Sequence, residues 1–104
     1  MQPPKRVRVG ATTYTVQVTG KTLLYGETDH LQTEIRLNSG QSQDSLRDTV
    51  LHEVLHAVLW ISGANKLLTL DDDAEERLTR LLAPWLLTLL RDNPRLLAFL
   101  IASD

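Results

Sequence analysis

The stretch DSLRDTVLHEVLHAVLWISG, residues 44–63, decides how the rest of the chain is read. Asp44 and Ser45 are N-capping residue types, Gly63 is a helix-stopping one, and neither proline nor glycine interrupts the residues between. The run therefore predicts a helix ending near Ser62. Val50, Leu51, Val54, Leu55, Val58 and Leu59 place apolar side chains around most of its circumference, which predicts a buried helix.

Set into that helix is His52-Glu53-Val54-Leu55-His56. Side chains four residues apart project from one face, one turn apart, so both imidazoles can reach a single ion. Glu53, about 100° round from His52, can reach a water beside it. A metal ion makes water nucleophilic near neutral pH, and an adjacent carboxylate can take its proton and pass it to a leaving amine. With 3 His and 5 Glu among 104 residues, chance produces this pattern in roughly four such chains in a thousand, so it carries the functional reading. In a buried helix the three polar groups need a partner, and a metal would satisfy all of them. The competing expectation is a pair of structural histidines bonded to backbone or bordering solvent.

The chain has no cysteine, which excludes disulfides, thiolate metal sites and cysteine nucleophiles, and leaves His, Asp and Glu as the strong ligands. Zinc is the expected ion. A catalytic zinc takes three protein ligands and keeps one position for water, and no histidine follows His56. The acidic candidates downstream are Asp71, Asp72, Asp73, Glu75 and Glu76. If Leu78, Leu81, Leu82, Trp85, Leu86 and Leu89 form the inward face of a following helix, Glu75 falls about 50° from its centre and Glu76 points away. Glu75 is the first candidate for third ligand, then Glu76, then an aspartate or His30. Asp72 and Glu75 also have the spacing of a capping box, which needs no metal.

On the N-terminal side, Arg6 to Thr19 alternates in the manner of a strand, a turn at Gly10 and a second strand. A loop holding Gly20 and Gly26 follows. His30 to Leu37 alternates again and predicts a third strand, polar enough on one side to lie at an edge. On the C-terminal side, the aspartates open a second helix that Pro84 should kink or restart. Asn93 and Pro94 start a short terminal helix carrying Leu96, Leu97, Leu100 and Ile101. The expected fold is a single α+β domain over residues 1–104. A small, mostly antiparallel three-stranded sheet packs on the His52–His56 helix and a backing helix, with the terminal helix added.

A net charge of −2, with Lys and Arg scattered singly, gives no basic face for nucleic acid. The opening MQPPKRVRVG lacks the apolar run of a secretory leader, and the leucine-rich stretch 81–90 falls short of the roughly 20 residues a membrane span needs. A cytoplasmic protein without membrane contact is expected. Trp60 and Trp85 stand at helical spacing with leucines and read as core. The terminal leucines read as a cover for the core or a docking face for a partner or second copy.

The motif His52-Glu53-Val54-Leu55-His56, the strand before it and an acidic residue on a following helix resemble the small HExxH metallopeptidases of the zincin group, in particular the glutamate-liganded gluzincins. Eighteen residues, positions 57–74, separate His56 from Glu75. A looser likeness is to ImmA/IrrE-type and phage-encoded HExxH proteins. The resemblance implies a twisted sheet over the active-site helix, a backing helix bringing Glu75 to zinc, and a third strand to which substrate peptide adds. It implies peptide-bond hydrolysis, or the same fold kept as a zinc-binding but inactive regulatory or assembly module. The Asn-Glu dipeptide of larger gluzincins is absent, since Ala74 precedes Glu75, and no His or Tyr follows position 56 to meet an oxyanion. His30 and Tyr25 are the candidates for that contact.

Overall fold

The computed structural model describes residues 1–20, 24–67 and 74–102, with the side chains at 67, 74–76 and 79 outside the description. Strand β1 (Arg6–Val9) turns through Gly10 into β2 (Thr12–Thr19), an antiparallel pair whose alternation buries Val7, Val9 and Tyr14. Beyond this hairpin the sheet departs from expectation. It has four strands in the order β1-β2-β4-β3, with β3 at Gly26–Asp29 and β4 at Glu34–Asn38. The sheet is mixed, because β4 runs parallel to β2 and antiparallel to β3.

The third strand expected over His30 to Leu37 thus shortens to β4 and lies inside the sheet, not at its edge. His30 belongs to the turn between β3 and β4. That turn is shaped by Asp29 Oδ1, which accepts the backbone N–H of Leu31 (3.1 Å) and of Gln32 (3.0 Å), and by Thr33 at φ 50°. The edge strand is β3, in the segment read as loop. Its sequence, Gly-Glu-Thr-Asp, has no apolar alternation to reveal it; what places it is pairing with Ile35 and Leu37 of β4.

Helix α1 (Gln43–Ser62) is capped by Ser42, two to three residues before the expected Asp44 or Ser45, and the Ser42 hydroxyl accepts from Ser45 N. Gly63, at φ 79°, ends it as expected and returns its N–H to the Trp60 carbonyl. One face of α1 enters the core through Leu46, Val50, Val54, Ala57 and Val58, which meet Val7, Val9, Tyr14, Ile35 and Leu37 of the sheet. After a 3-10 turn at Ala64–Leu67 comes helix α2 (Ala74–Asp92), packed along α1. Leu82, Trp85, Leu86 and Leu89 face inward, as the helical wheel required. Pro84 does not restart α2, which runs unbroken through it with the proline on the exposed side.

Helix α3 (Pro94–Ile101) closes the core with Leu96 and Phe99, both fully buried, while Leu97 and Ile101 remain exposed. Asn93 precedes it but spends its side chain elsewhere: Nδ2 donates to the carbonyls of Arg8 (2.9 Å) and Leu89 (2.7 Å), and Oδ1 accepts from Arg8 N (2.9 Å). The outer edge of β1 is thereby tied to the helices, whereas no described strand pairs with the outer edge of β3. No described helix is long and apolar enough to cross a membrane.

The approach of β3 to α1 depends on Gly26. A Cβ there would stand 2.6 Å from Thr49 Cγ2 and 3.2 Å from Glu53 Cγ, and 3.3 Å from the Arg36 carbonyl oxygen. Gly26→Ala must push the edge strand off the helix, and overpacking of this kind destabilises by about 1–3 kcal/mol. Urea denaturation should show that loss; an unchanged midpoint would mean that the strand and helix are less closely seated.

Candidate functional site

Of the three motif residues, only Glu53 is buried, at 6% exposure; His52 and His56 are exposed. The expectation of a wholly buried helix fails because apolar composition does not fix orientation. Leu51 and Trp60 are themselves 40% and 49% exposed, and the face carrying the histidines looks outward. Exposed imidazoles need no metal to offset burial, and what distinguishes this pair is its geometry. His52 Nε2 and His56 Nε2 converge to 3.1 Å, with ring centroids 4.7 Å apart and planes at 75°. Two nitrogens each about 2.0–2.1 Å from one tetrahedral zinc stand ~3.3 Å apart, so the donor pair fits such an ion. Without metal, the same separation suits one N–H···N hydrogen bond between the two rings.

The histidines border a cavity of about 310 Å³ whose other walls are Glu53, Leu24, His30 and the β3 residues Gly26, Glu27 and Thr28. A larger groove of about 770 Å³ runs between the N-terminal residues and the start of α3, but its lining holds no histidine and, of carboxylates, only Asp92. The chemistry converges on the smaller cavity.

Thr28 was not singled out in the sequence, yet its hydroxyl donates to Glu53 Oε1 at 2.8 Å and lies 3.2 Å from the Glu53 carbonyl oxygen. One carboxylate oxygen is thus held. No buried side-chain oxygen or nitrogen among the described residues lacks a partner, so Oε2, for which no bond is seen, is not fully buried, and Glu53 lines the cavity. That arrangement is what a proton acceptor requires: one oxygen anchored, the other accessible. The second carboxylate of the cavity, Glu27, accepts Arg36 Nε at 2.8 Å and is held in that ion pair.

His30 lines the same cavity. Its Nδ1 lies 3.0 Å from the hydroxyl of buried Tyr14, and its ring stacks on Trp60 with centroids 4.6 Å apart and planes at 5°. Trp60, expected in the core, instead forms this exposed stack. Tyr25 is 70% exposed and does not line the cavity, and its described bonds are those its carbonyl accepts from Asn38 N and Gln41 Nε2.

Among the described residues no group of three His, Cys, Asp or Glu side chains gathers to hold a metal. His30, the last-ranked ligand candidate, is therefore not assembled with His52 and His56. The other candidates, Glu75, Glu76 and Asp71 to Asp73, lie outside the described residues or side chains; Glu75 and Glu76 fall on the first turn of α2, the helix packed beside α1.

No protein-family model, curated protein or solved structure matches this chain.

Burial first, and the charge of His56 second, push the His30 pKa below its ordinary value, against the opposing influence of Asp29 and Glu53. An unfolded chain then binds a proton at His30 that the folded chain refuses, so folded stability falls as pH drops through about 6.5. Urea melts of metal-free protein at pH 7.5 and 5.5 should show a larger loss for wild type than for His30→Gln. Equal losses would remove His30 from the account.

Proposed function

We propose that the chain is a zinc-dependent peptidase, a small gluzincin-like domain in which His52, His56 and Glu75 hold the metal and Glu53 moves the proton. What supports this most is the meeting of two imidazole nitrogens at 3.1 Å beside a largely buried carboxylate that lines the same cavity and has one oxygen fixed. Zinc, when bound, supplies Lewis acidity that makes water a nucleophile near pH 7 and polarises a carbonyl. Glu53 Oε2 accepts the proton of the attacking water and returns it to the leaving amide nitrogen. Thr28 keeps the carboxylate turned for both transfers. The edge of β3 that no described strand pairs with offers a peptide backbone-to-backbone bonding along the cavity wall, so substrate is received by β3 and not by a strand over His30 to Leu37. The absence of cysteine fits a reducing cytoplasmic setting.

The test is hydrolysis of a mixed quenched-fluorescence peptide library by zinc-loaded protein. Cleavage that a chelator abolishes and added zinc restores is expected. Zinc uptake without any cleavage would instead establish the inactive module.

A further inference from the structure

The proposed peptidase reading leaves one polar pair unexplained. Tyr14 is fully buried on β2, far in sequence from the motif, and its hydroxyl meets a histidine of the cavity. We infer that Tyr14 is a positioning residue: its hydroxyl donates to His30 Nδ1, fixing His30 as the Nε2–H tautomer, so that a neutral N–H donor serves the oxygen of the scissile carbonyl. This last role rests on the peptidase reading; the tautomer does not.

The proton assignment follows from what each atom can do. A phenol has one proton to give, and among the described residues the hydroxyl's only partner is His30 Nδ1. If Nδ1 carried the proton, the buried hydroxyl could accept but its own hydrogen would be left unmatched, which is unfavourable in a buried site. Burial also raises the Tyr14 pKa, which keeps the hydroxyl protonated. With Nδ1 accepting, the single proton of a neutral imidazole sits on Nε2, on the far side of the ring from the buried hydroxyl.

The ring is held in two further ways. Trp60 stacks on its face at 4.6 Å, and the Tyr14 ring meets it edge-on at 6.2 Å and 89°. Tilt and rotation are constrained together, which a hydrogen bond alone would not achieve. Pre-aimed N–H donors at a developing oxyanion contribute to rate because no reorganisation is needed at the moment of reaction. The arrangement also supplies from the N-terminal half the donor that the chain lacks after position 56.

The experiment combines ring ¹⁵N NMR with kinetics on zinc-loaded wild type, Tyr14→Phe, His30→Ala and the double variant. Wild-type His30 should show a pyridine-type Nδ1 and a protonated Nε2, and Tyr14→Phe should populate both tautomers. His30→Ala should lower kcat about a hundredfold or more, Tyr14→Phe about tenfold with KM little changed, and the double variant should be no slower than His30→Ala. A wild-type ring protonated on Nδ1 overturns the assignment, and this measurement needs no variant to fold. Wild-type kcat in a folded Tyr14→Phe overturns the positioning role while leaving the peptidase reading intact. The expected tautomer in a zinc-loaded protein that cleaves no peptide supports the assignment and overturns the peptidase reading instead.

Discussion

Glu53→Gln should bind zinc as the wild type does and lose peptide hydrolysis by a factor of about 10²–10⁴, the range contributed by a positioned general base. The substitution preserves shape. The Thr28 hydroxyl still finds an oxygen at Oε1, and the buried position is still filled. What disappears is the second oxygen: an amide nitrogen takes its place and accepts no proton. The effect should therefore fall on kcat with KM little altered, the pattern of an interaction made only in the transition state. Full retention of turnover would remove Glu53 from the chemistry. Loss of zinc together with turnover would mean that Glu53 acts as a ligand, contrary to its role in proton transfer.

The second large effect concerns stability. Phe99 is fully buried, and α3 covers the core through it and Leu96. Arg47 of α1 lies over its ring, 5.7 Å from the centroid, and donates Nε to the Phe99 carbonyl at 3.1 Å, so a largely buried guanidinium is packed against the same residue. Phe99→Ala removes the aromatic volume and the cation–π contact but leaves the carbonyl acceptor. Substitutions of this kind destabilise by about 3–5 kcal/mol, and the melting temperature should fall by about 12 °C or more. A shift of only a few degrees would place α3 outside the cooperative core.

The hydrophobic pattern carried the local structure a long way. The Val7, Val9 and Tyr14 alternation, the Gly63 stop and the inward leucines of α2 were legible because each depends on neighbours within a few residues. What failed depends on distant partners. Gly26–Asp29 has no apolar signal and becomes a strand only through β4, and the parallel pairing of β4 with β2 leaves no local trace. Periodicity likewise could not orient a helix apolar on nearly every side, so His52 and His56 were placed in the core when they face the cavity. Three contacts of the candidate site were hidden for the same reason: Thr28 on Glu53, Tyr14 on His30 and Trp60 stacked on His30 each join residues at least 16 positions apart.

Metal content by elemental mass spectrometry tests the central claim most directly, on purified wild type and on His52→Ala, His56→Ala, Glu75→Ala and Glu76→Ala. One zinc per chain is expected in wild type and in Glu76→Ala, and none in the two histidine variants or in Glu75→Ala. A wild-type chain that carries no zinc and takes up none when it is supplied would contradict the account, leaving the two imidazoles as a hydrogen-bonded surface pair.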